Sequence, residues 1–362
     1  MNNLLSKIKP LFKPSHPGFV IFYVTNRCNF RCNFCFYSEE IEKGLKPNEL
    51  SVDEIRKIAK KMGPLMQLSL TGGEPFLRKE FSEIAEIFLR ENKPLYMTIV
   101  TNGSLGDKIL DFFNYILPKF SNTYFRLTYS IEGIGDIHDN LRGVKGSFDK
   151  IVISFEEVSK LRSKYKNIVI DSNSVFTKNS EDTLLDTLKY LYKNFSFDNL
   201  SVTYARGKIP DETLKVISQQ KYLKINDYIN SIERNKEGRL FSNIFRGVTT
   251  ATRDLIVDVA FNDKFVLPCV AGKKLLIIYE TGDVHPCEIL NKKLGNLRDY
   301  DFDINKLVKN NETKATTKWI KETKCKCTFE CSTAANLVWN AKGLPKILSH
   351  ATKSFFRDKK QI

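Results

Sequence analysis

The sequence contains no apolar run that approaches the roughly 20 residues a membrane-spanning helix needs. It also lacks the apolar core of a secretory signal peptide, because Lys7, Pro10 and Lys13 interrupt the N-terminal segment. These two absences predict a cytoplasmic protein without a transmembrane segment, in which cysteines remain reduced. The 362 residues are enough for one large domain and a smaller one, each with a hydrophobic core.

Cysteine is missing from the whole middle of the chain. The eight cysteines form two groups, with Cys28, Cys32 and Cys35 in the first and Cys269, Cys287, Cys325, Cys327 and Cys331 in the second. No cysteine lies outside these groups. Clustered thiols in a cytoplasmic protein predict metal ligation rather than disulfide bonds.

The net charge of +15 is concentrated in three segments. Residues 1–17 contribute +3, residues 314–326 contribute +4 and residues 341–362 contribute +5. The body of the chain is nearly balanced, so a polyanion or an anionic membrane surface would meet the protein at its basic ends.

Both ends also carry apolar residues at helical spacing among their lysines. These are Leu4, Ile8 and Leu11 near the N-terminus, and Leu344, Ile347, Leu348, Ala351 and Phe355 near the C-terminus. We expect helices that pack on the body with their lysines solvated. A dock for anionic lipid, nucleic acid or an acidic peptide is the alternative, and it would make the protein peripheral at the membrane.

The first cysteine group has the spacing C-x3-C-x2-C and follows an apolar run, residues 19–24, that predicts a buried β-strand. Three thiolates on one loop can hold three irons of a [4Fe–4S] cluster and leave the fourth iron without a protein ligand. A structural zinc site normally has four protein ligands. The spacing alone leaves an electron-transfer cluster and a zinc site open as alternatives.

Residues 19–205 alternate short apolar strands with amphipathic helices in six β/α units. We predict strands over residues 19–24, 65–70, 95–100, 123–130, 168–176 and 200–204. Between them we predict a helix that begins at a Ser51 and Glu54 capping box and ends near Met62, and helices over residues 80–92, 105–117, 147–165 and 181–194. This order implies an α/β fold with a parallel sheet.

Polar motifs follow the second and fourth predicted strands. The first is TGGEP, residues 71–75, in which paired glycines allow close backbone approach and a carboxylate can bind an ammonium group. The second begins with SIEG, residues 130–133, and continues with His138, Asp139 and Arg142 before GSF at residues 146–148. For His138 and Asp139, a solvated turn with a capping interaction is at least as good an explanation as a catalytic role.

Together the cysteine spacing and these motifs resemble the radical S-adenosylmethionine (SAM) family, particularly its sulfatase-maturing and peptide-modifying branch. The resemblance implies an open (β/α)6 partial barrel over residues 18–205, with its chemistry at the C-terminal ends of the strands. It also implies that the open iron binds SAM, and that an electron from the cluster cleaves SAM to a 5′-deoxyadenosyl radical that abstracts hydrogen from a substrate. A reduced flavodoxin or ferredoxin-type protein would donate that electron.

The resemblance also implies which residues contact SAM. Glu74 would bind the amino group, and Ser130 and Arg142 would reach the ribose and the carboxylate. The full set of cofactor-binding candidates is Phe34, Gly72, Gly73, Glu74, Pro75, Asn102, Ser130 and Arg142. Asn173 is a further candidate for lining the pocket, and Glu132 stands where this branch commonly has aspartate.

The second cysteine group begins after a polar segment, residues 206–265, that we interpret as a helical linker. Residues 275–279 and 284–289 predict a β-hairpin with Cys287 on its returning strand. Residues 266–340 resemble the SPASM/Twitch extension of the radical SAM family, and five cysteines match one auxiliary [4Fe–4S] cluster better than two. We favour Cys327 and Cys331 as partners of Cys269 and Cys287, with Cys325 as a spare ligand, and a four-thiolate zinc site is the alternative.

These features predict a radical SAM enzyme with one SAM-binding and one auxiliary [4Fe–4S] cluster, acting on a peptide or a small metabolite. Glu288, directly after Cys287, is the candidate catalytic residue. Some members of the resembled family carry an acid at this position that is proposed to accept a proton from the substrate. The alternative is that Glu288 is a surface carboxylate. The cysteine loop begins at residue 28, which leaves no room for a leader-binding domain and weighs against a peptide. The alternative function is a non-catalytic iron–sulfur or zinc protein that binds nucleic acid through its basic ends.

Overall fold

A computed structural model describes residues 16–44, 48–232 and 240–358 of the protein, without the side chains of residues 240–246 and 352–358. Within these ranges no helix is both long and apolar enough to cross a membrane. The N-terminal pattern of Leu4, Ile8 and Leu11 lies outside the described residues, as does the Phe355 side chain.

One nine-stranded sheet forms the centre of the molecule, in the order β6-β5-β4-β3-β2-β1-β7-β8-β9. The strands from β1 to β6 are all parallel, which confirms the predicted α/β partial barrel. Their bounds are β1 Phe19–Tyr23, β2 Gln67–Thr71, β3 Tyr96–Thr101, β4 Tyr124–Ser130, β5 Ile168–Phe176 and β6 Leu200–Tyr204.

Helices connect these parallel strands, including the five that the sequence predicts and two short ones, over residues 38–42 and 136–142, that it does not predict. Their bounds are α1 Ser38–Glu42, α2 Val52–Met62, α3 Phe81–Glu91, α4 Gly106–Ile116, α5 Asp136–Arg142, α6 Ser147–Ser159 and α7 Leu184–Asn194. The predicted capping box is present at α2, where the Ser51 side chain accepts from the Glu54 N–H and the Glu54 carboxylate accepts from the Ser51 N–H. This reciprocal pair satisfies two N–H groups that have no partner within the helix.

The C-terminal hairpin continues the same sheet. Strand β7, Leu275–Ile278, pairs in parallel with β1, and β8, Asp283–His285, and β9, Gly295–Asn296, follow as antiparallel neighbours. All five residues of β1 are buried, so this strand needs a covering partner on both edges as well as on both faces. The returning strand ends at His285, so the prediction that it carries Cys287 is wrong, and Cys287 lies in the segment after it.

The two faces of β1 support two different apolar clusters. Val20 and Phe22 face the main core, which lies between the sheet and the helices. Phe19, Ile21 and Tyr23 face a second cluster, against which six cysteines pack, namely Cys28, Cys35, Cys269, Cys325, Cys327 and Cys331. Because side chains alternate along a strand, one short strand links the barrel core to the region of both cysteine groups.

The remaining helices are α8 Gln219–Ser231, α9 Leu240–Asn262, α10 Ile304–Leu307, α11 Asn311–Glu322, α12 Glu330–Trp339 and α13 Leu344–Asp358. Helix α13 packs on α9, where Ile347 and Ala351 are buried and a Cβ added at Gly247 would lie 2.5 Å from the Ile347 carbonyl oxygen. An ion pair of 3.0 Å between His350 and Asp254 joins the same two helices. The expected packing of the C-terminal helix on the body is therefore present.

Candidate active site

The first cysteine group lies on the loop that leaves the C-terminal end of β1. All three thiols are partly buried, and the Phe30 N–H donates to the Cys28 sulfur over 3.4 Å. Burial raises the pKa of Cys28 to about 12 and that of Cys35 to about 11. A metal would reverse this preference for the neutral thiol, because the thiolate is the ligand.

Three thiols on one loop are the donor set of a cluster with one open iron rather than of a closed zinc site. In the described part of the chain, no three His, Cys, Asp or Glu side chains converge on the position of a single metal ion. The fit to a cluster therefore rests on the number and type of the donors on this loop.

The paired glycines of the TGGEP turn let it pack directly on the cysteine loop. The Gly73 N–H donates to the Thr25 carbonyl over 2.9 Å, and the Glu74 N–H donates to the Arg27 carbonyl over 2.7 Å. A Cβ would lie 2.2 Å from the Thr25 oxygen at Gly72 and 2.1 Å from the Arg27 oxygen at Gly73. Only glycine allows the two backbones to approach this closely.

Glu74 is almost completely buried between the ends of β2 and β3. Its carboxylate accepts from the Thr101 hydroxyl over 2.9 Å, the Asn102 N–H over 2.8 Å and the Phe76 N–H over 3.2 Å. These three donors are uncharged, and burial raises the pKa of Glu74 to about 7. The side chain is therefore suited to gain a cationic partner, which would stabilise its charged form.

Arg142 and Glu132 form a buried, bidentate ion pair. The Arg142 Nη2 to Glu132 Oε1 distance is 2.7 Å, and the Nε to Oε2 distance is 2.5 Å. Although burial opposes the charge, the Glu132 carboxylate raises the pKa of the Arg142 guanidinium. The same guanidinium lies 3.6 Å from the Cys32 sulfur and 5.4 Å from the centre of the Phe34 ring. This pair thus connects the SIEG stretch to the cysteine loop.

His138 and Asp139 lie on helix α5 and are buried, so the prediction of a solvated turn is wrong. The Asp139 carboxylate accepts from the Ser147 hydroxyl over 2.8 Å and from the Phe148 N–H over 2.9 Å, which caps the N-terminus of α6. Burial lowers the pKa of His138 to about 4, so its ring is neutral at pH 7. The capping interaction is observed, and both side chains have a structural explanation.

Asn102 directly follows β3, Ser130 ends β4, and Asn173 lies within β5 beside Ser130. The Asn102 side chain donates to the Asn29 side chain over 2.9 Å, which ties the end of β3 to the cysteine loop. Ser130 and Asn173 are neighbours in the β4 and β5 register, and both are half-buried. The three candidates therefore line the same edge of the sheet as Glu74.

Glu288 belongs to a buried network that the sequence analysis did not predict. Its carboxylate accepts from the Tyr23 hydroxyl over 2.8 Å and pairs with the Arg206 guanidinium at 2.8 Å. The alternative that Glu288 is a surface carboxylate is wrong, since its side chain is 4% exposed. Tyr23 ends β1 and Arg206 follows β6. Because functional side chains lie at the C-terminal ends of parallel strands, these positions could have indicated the network from the sequence.

Arg206 also contacts both cysteine-bearing regions. Its guanidinium lies 4.9 Å from the Phe36 ring, directly after Cys35, and 4.8 Å from the Phe329 ring. It also pairs with Glu330 at 3.5 Å. Arg206 therefore bridges the cysteine loop of β1 and the start of α12.

In the second cysteine group, burial raises the pKa of Cys327 to about 12, and the nearby charges of Cys269, Cys287 and Cys325 raise it further. Burial likewise raises the pKa of Cys325 to about 11, with the charges of Cys269 and Cys287 adding to it. These four thiols therefore influence one another electrostatically.

Comparison with protein families places a domain on the N-terminal part of the chain. Residues 22–191 match the model of the Radical SAM superfamily. The antilisterial bacteriocin subtilosin biosynthesis protein AlbA of Bacillus subtilis is 26% identical over 78% of this chain and 57% of its own length. A GTP 3′,8-cyclase of Mannheimia succiniciproducens is 29% identical over 47% of this chain and 48% of its own length. The chain thus spans about half the length of these curated relatives.

Solved structures share the fold at low sequence identity. Streptococcus suis SuiB bound to S-adenosylmethionine superposes with a TM-score of 0.59 at 19% identity, covering 87% of this chain and 71% of SuiB. The native anSMEcpe structure with bound AdoMet has a TM-score of 0.58 at 18% identity, covering 95% of this chain and all of that one. The cysteine loop, the parallel sheet and the family match agree on a Radical SAM domain over residues 22–191.

Proposed function

We propose that this protein is a radical SAM enzyme that holds a [4Fe–4S] cluster on Cys28, Cys32 and Cys35 and binds SAM beside it. When bound, the cluster and SAM supply a 5′-deoxyadenosyl radical that abstracts hydrogen from a substrate. The observation that carries the proposal is the direct packing of the Glu74 turn and the Arg142 side chain on the cysteine loop. Reductive cleavage of SAM by the reconstituted protein tests it.

The protein's own residues would bind and orient SAM from two sides. Glu74 offers a buried carboxylate to the amino group, and the uncharged donors around it hold its orientation. Arg142 offers a guanidinium whose position is set by Glu132, with Phe34 packed beside it. Gly72, Gly73 and Pro75 shape the turn, and Asn102 and Ser130 line the same edge of the sheet.

Replacement of Glu74 by Gln is expected to weaken SAM binding about tenfold to a hundredfold. The substitution removes the charge but keeps the shape, and a buried charged hydrogen bond is worth about 1.5–3 kcal/mol. Titration of the cluster absorbance with SAM measures the change. Glu80→Gln is the matched control, because Glu80 lies nearby in the chain but is exposed and paired with Arg78. Equal affinity of Glu74→Gln and the wild-type protein would remove Glu74 from the SAM site.

A test of Arg142 must separate binding from folding. Arg142→Ala alone leaves the Glu132 carboxylate buried without its partner, which costs about 3–5 kcal/mol of stability. The double variant Glu132→Gln with Arg142→Ala removes that unpaired charge. We expect the double variant to regain most of this stability in a urea titration while its SAM affinity stays low.

The substrate class that we propose is a peptide. AlbA is described as a protein of bacteriocin biosynthesis, and a SuiB structure contains its precursor peptide SuiA. We further propose that a second [4Fe–4S] cluster lies in a SPASM/Twitch-type region, residues 266–340, and that a reduced flavodoxin or ferredoxin donates electrons. Glu288, held by Tyr23 and Arg206, is the residue that we propose to accept a proton from the substrate.

We also propose that α13 docks on an anionic membrane surface. Packing on α9 leaves Leu344 49% and Leu348 58% exposed, although Ile347 between them is buried. Residues 341–362 carry a net charge of +5. An anionic bilayer offers acyl chains to the leucines and phosphates to the lysines, whereas a second copy of this chain would bring like charges together.

Vesicle binding tests the role of α13. The protein is expected to sediment with vesicles of phosphatidylglycerol but not of phosphatidylcholine, and the double variant Leu344→Gln with Leu348→Gln should lose most of this binding. Val216→Gln is the matched control, because Val216 is 72% exposed outside α13. Retention of full binding by the double variant would show that charge alone acts and would overturn the proposed dock.

A further inference from the structure

Three lysines that precede the last cysteines form a stripe along helix α11. Lys314, Lys318 and Lys321 follow one another at intervals of four and three residues, which places them side by side on the helix. All three are exposed. Lys318 lies 3.7 Å from Glu322, in a pair whose side chains are 74% and 61% exposed. Solvent screens such a pair, so the stripe presents a positive surface.

The opposite face of α11 covers the region of the second cysteine group. Thr313, Thr316 and Ile320 are buried along this face. The Cys325 N–H donates to the Ile320 carbonyl over 3.0 Å, so the chain passes from the helix directly into the segment that carries the thiols. Ile320 also belongs to the apolar cluster against which four cysteines of this group pack, namely Cys269, Cys325, Cys327 and Cys331. The lysine stripe is therefore the outer surface of this region.

Neighbouring segments extend the basic surface on both sides of α11. The Lys292 ammonium lies 5.5 Å from the centre of the Trp319 ring, and Trp319 is 39% exposed. Near Thr317, a Cβ added at Gly272 would lie 2.9 Å from the threonine methyl group, and the exposed Lys273 follows that glycine. An exposed aromatic ring supplies contact area at protein interfaces, and charges around it orient the partner.

We propose that the α11 surface, formed by Lys314, Lys318, Trp319 and Lys321, docks a small acidic electron-transfer protein such as a reduced flavodoxin. The inference rests on the proposed function for the need of an electron, and it adds the place where the donor binds. On docking, the donor loses one electron and the metal centre behind α11 gains it, while no bond forms or breaks.

Two observations select this partner. The lysine stripe favours an acidic partner, because complementary charges steer association. The position over the second group of thiols favours a redox protein, because nucleic acid and lipid do not exchange electrons with a metal centre. A surface of a few charged residues and one aromatic ring also suits the small, transient contacts of electron-transfer proteins.

Binding of purified flavodoxin to the anaerobically reconstituted holoprotein tests the α11 surface. The triple variant Lys314→Gln, Lys318→Gln and Lys321→Gln is expected to bind about tenfold more weakly than the wild-type protein at low ionic strength, because three exposed ion pairs together account for about that change. Added salt should weaken binding of the wild-type protein more than that of the variant. Titration calorimetry measures both affinities.

The matched control removes the same charge from another part of the surface. Lys150→Gln, Lys189→Gln and Lys193→Gln change exposed lysines of α6 and α7, and this variant should bind flavodoxin as the wild-type protein does. An equal loss in both triple variants would overturn the proposal, because binding would then follow net charge. So would unchanged affinity of the α11 variant, including the case in which it loses binding to RNA or to phosphatidylglycerol vesicles instead.

The choice of reductant separates this proposal from the proposed function. With dithionite, which needs no docking protein, the α11 variant should cleave SAM at the wild-type rate, whereas with reduced flavodoxin its rate should fall in parallel with its affinity. Flavodoxin binding through α11 without any SAM cleavage under dithionite would refute the enzyme and leave the dock. Cleavage under dithionite by both proteins, with equal flavodoxin affinity, would refute the dock and leave the enzyme.

Discussion

The anaerobically reconstituted protein, supplied with a strong reductant and SAM, is expected to release 5′-deoxyadenosine and methionine. The triple variant Cys28→Ala, Cys32→Ala and Cys35→Ala should release neither above the background of the reagents. In the proposed function, the cluster held by this loop would supply the electron and the site for SAM, so no part of the reaction would survive without these thiols. Chromatography of the products with mass detection measures both.

Two controls make this result specific. Glu80→Gln should cleave SAM as the wild-type protein does, because Glu80 is exposed and paired with Arg78. The triple variant should keep its thermal unfolding transition, since Cys28 and Cys35 pack against the second apolar cluster and Cys32 against a smaller one, all outside the main core. A wild-type protein with an intact cluster that releases no 5′-deoxyadenosine, even with candidate peptides, would refute the enzyme and favour a binding protein.

Iron and sulfide are each expected to total about eight per chain in the wild-type protein, from two four-iron clusters. Both should fall by about half when the three cysteines of the first group are replaced. The prediction follows from the two groups of thiols, which lie on separate loops of the chain. Colorimetric iron and sulfide analysis of the desalted, reconstituted protein measures the totals.

Recovery of about four irons together with one stoichiometric zinc would contradict the auxiliary cluster, because the second group would then be a structural zinc site. The role of this centre in electron transfer would have to be dropped, although the SAM-binding cluster would stand. Analysis of protein purified without reconstitution, beside the reconstituted sample, shows whether added iron has displaced a resident zinc.

Sequence patterns were reliable where the physical cause was local. The bounds of β5 and β6 match the predicted residues 168–176 and 200–204, because alternating apolar residues define strands within a short window. The capping box at Ser51 is equally local, since both of its hydrogen bonds join residues three positions apart. The cysteine spacing belongs to the same class, because all three thiols lie within eight residues.

Long-range contacts were not predictable in the same way. The pairing of β7 with β1 could not be inferred, because a hairpin pattern does not specify which other strand its first strand will join. The Tyr23 hydroxyl and the Glu288 carboxylate are 265 positions apart, and Arg206 reaches them from a third segment. The close packing of Gly72 and Gly73 on Thr25 and Arg27 likewise appears only once β1 and β2 are paired in register.

The sequence by itself therefore determined the resemblance to radical SAM enzymes, the succession of strands and helices along residues 19–205 and the two groups of thiols. Local periodicity, capping and ligand spacing carry that information within short stretches of chain. Only the tertiary structure decided that Glu288 is buried against Arg206 and that Glu132 holds Arg142. Each of these depends on the register of strands and the direction of a helix, which bring together side chains from distant segments.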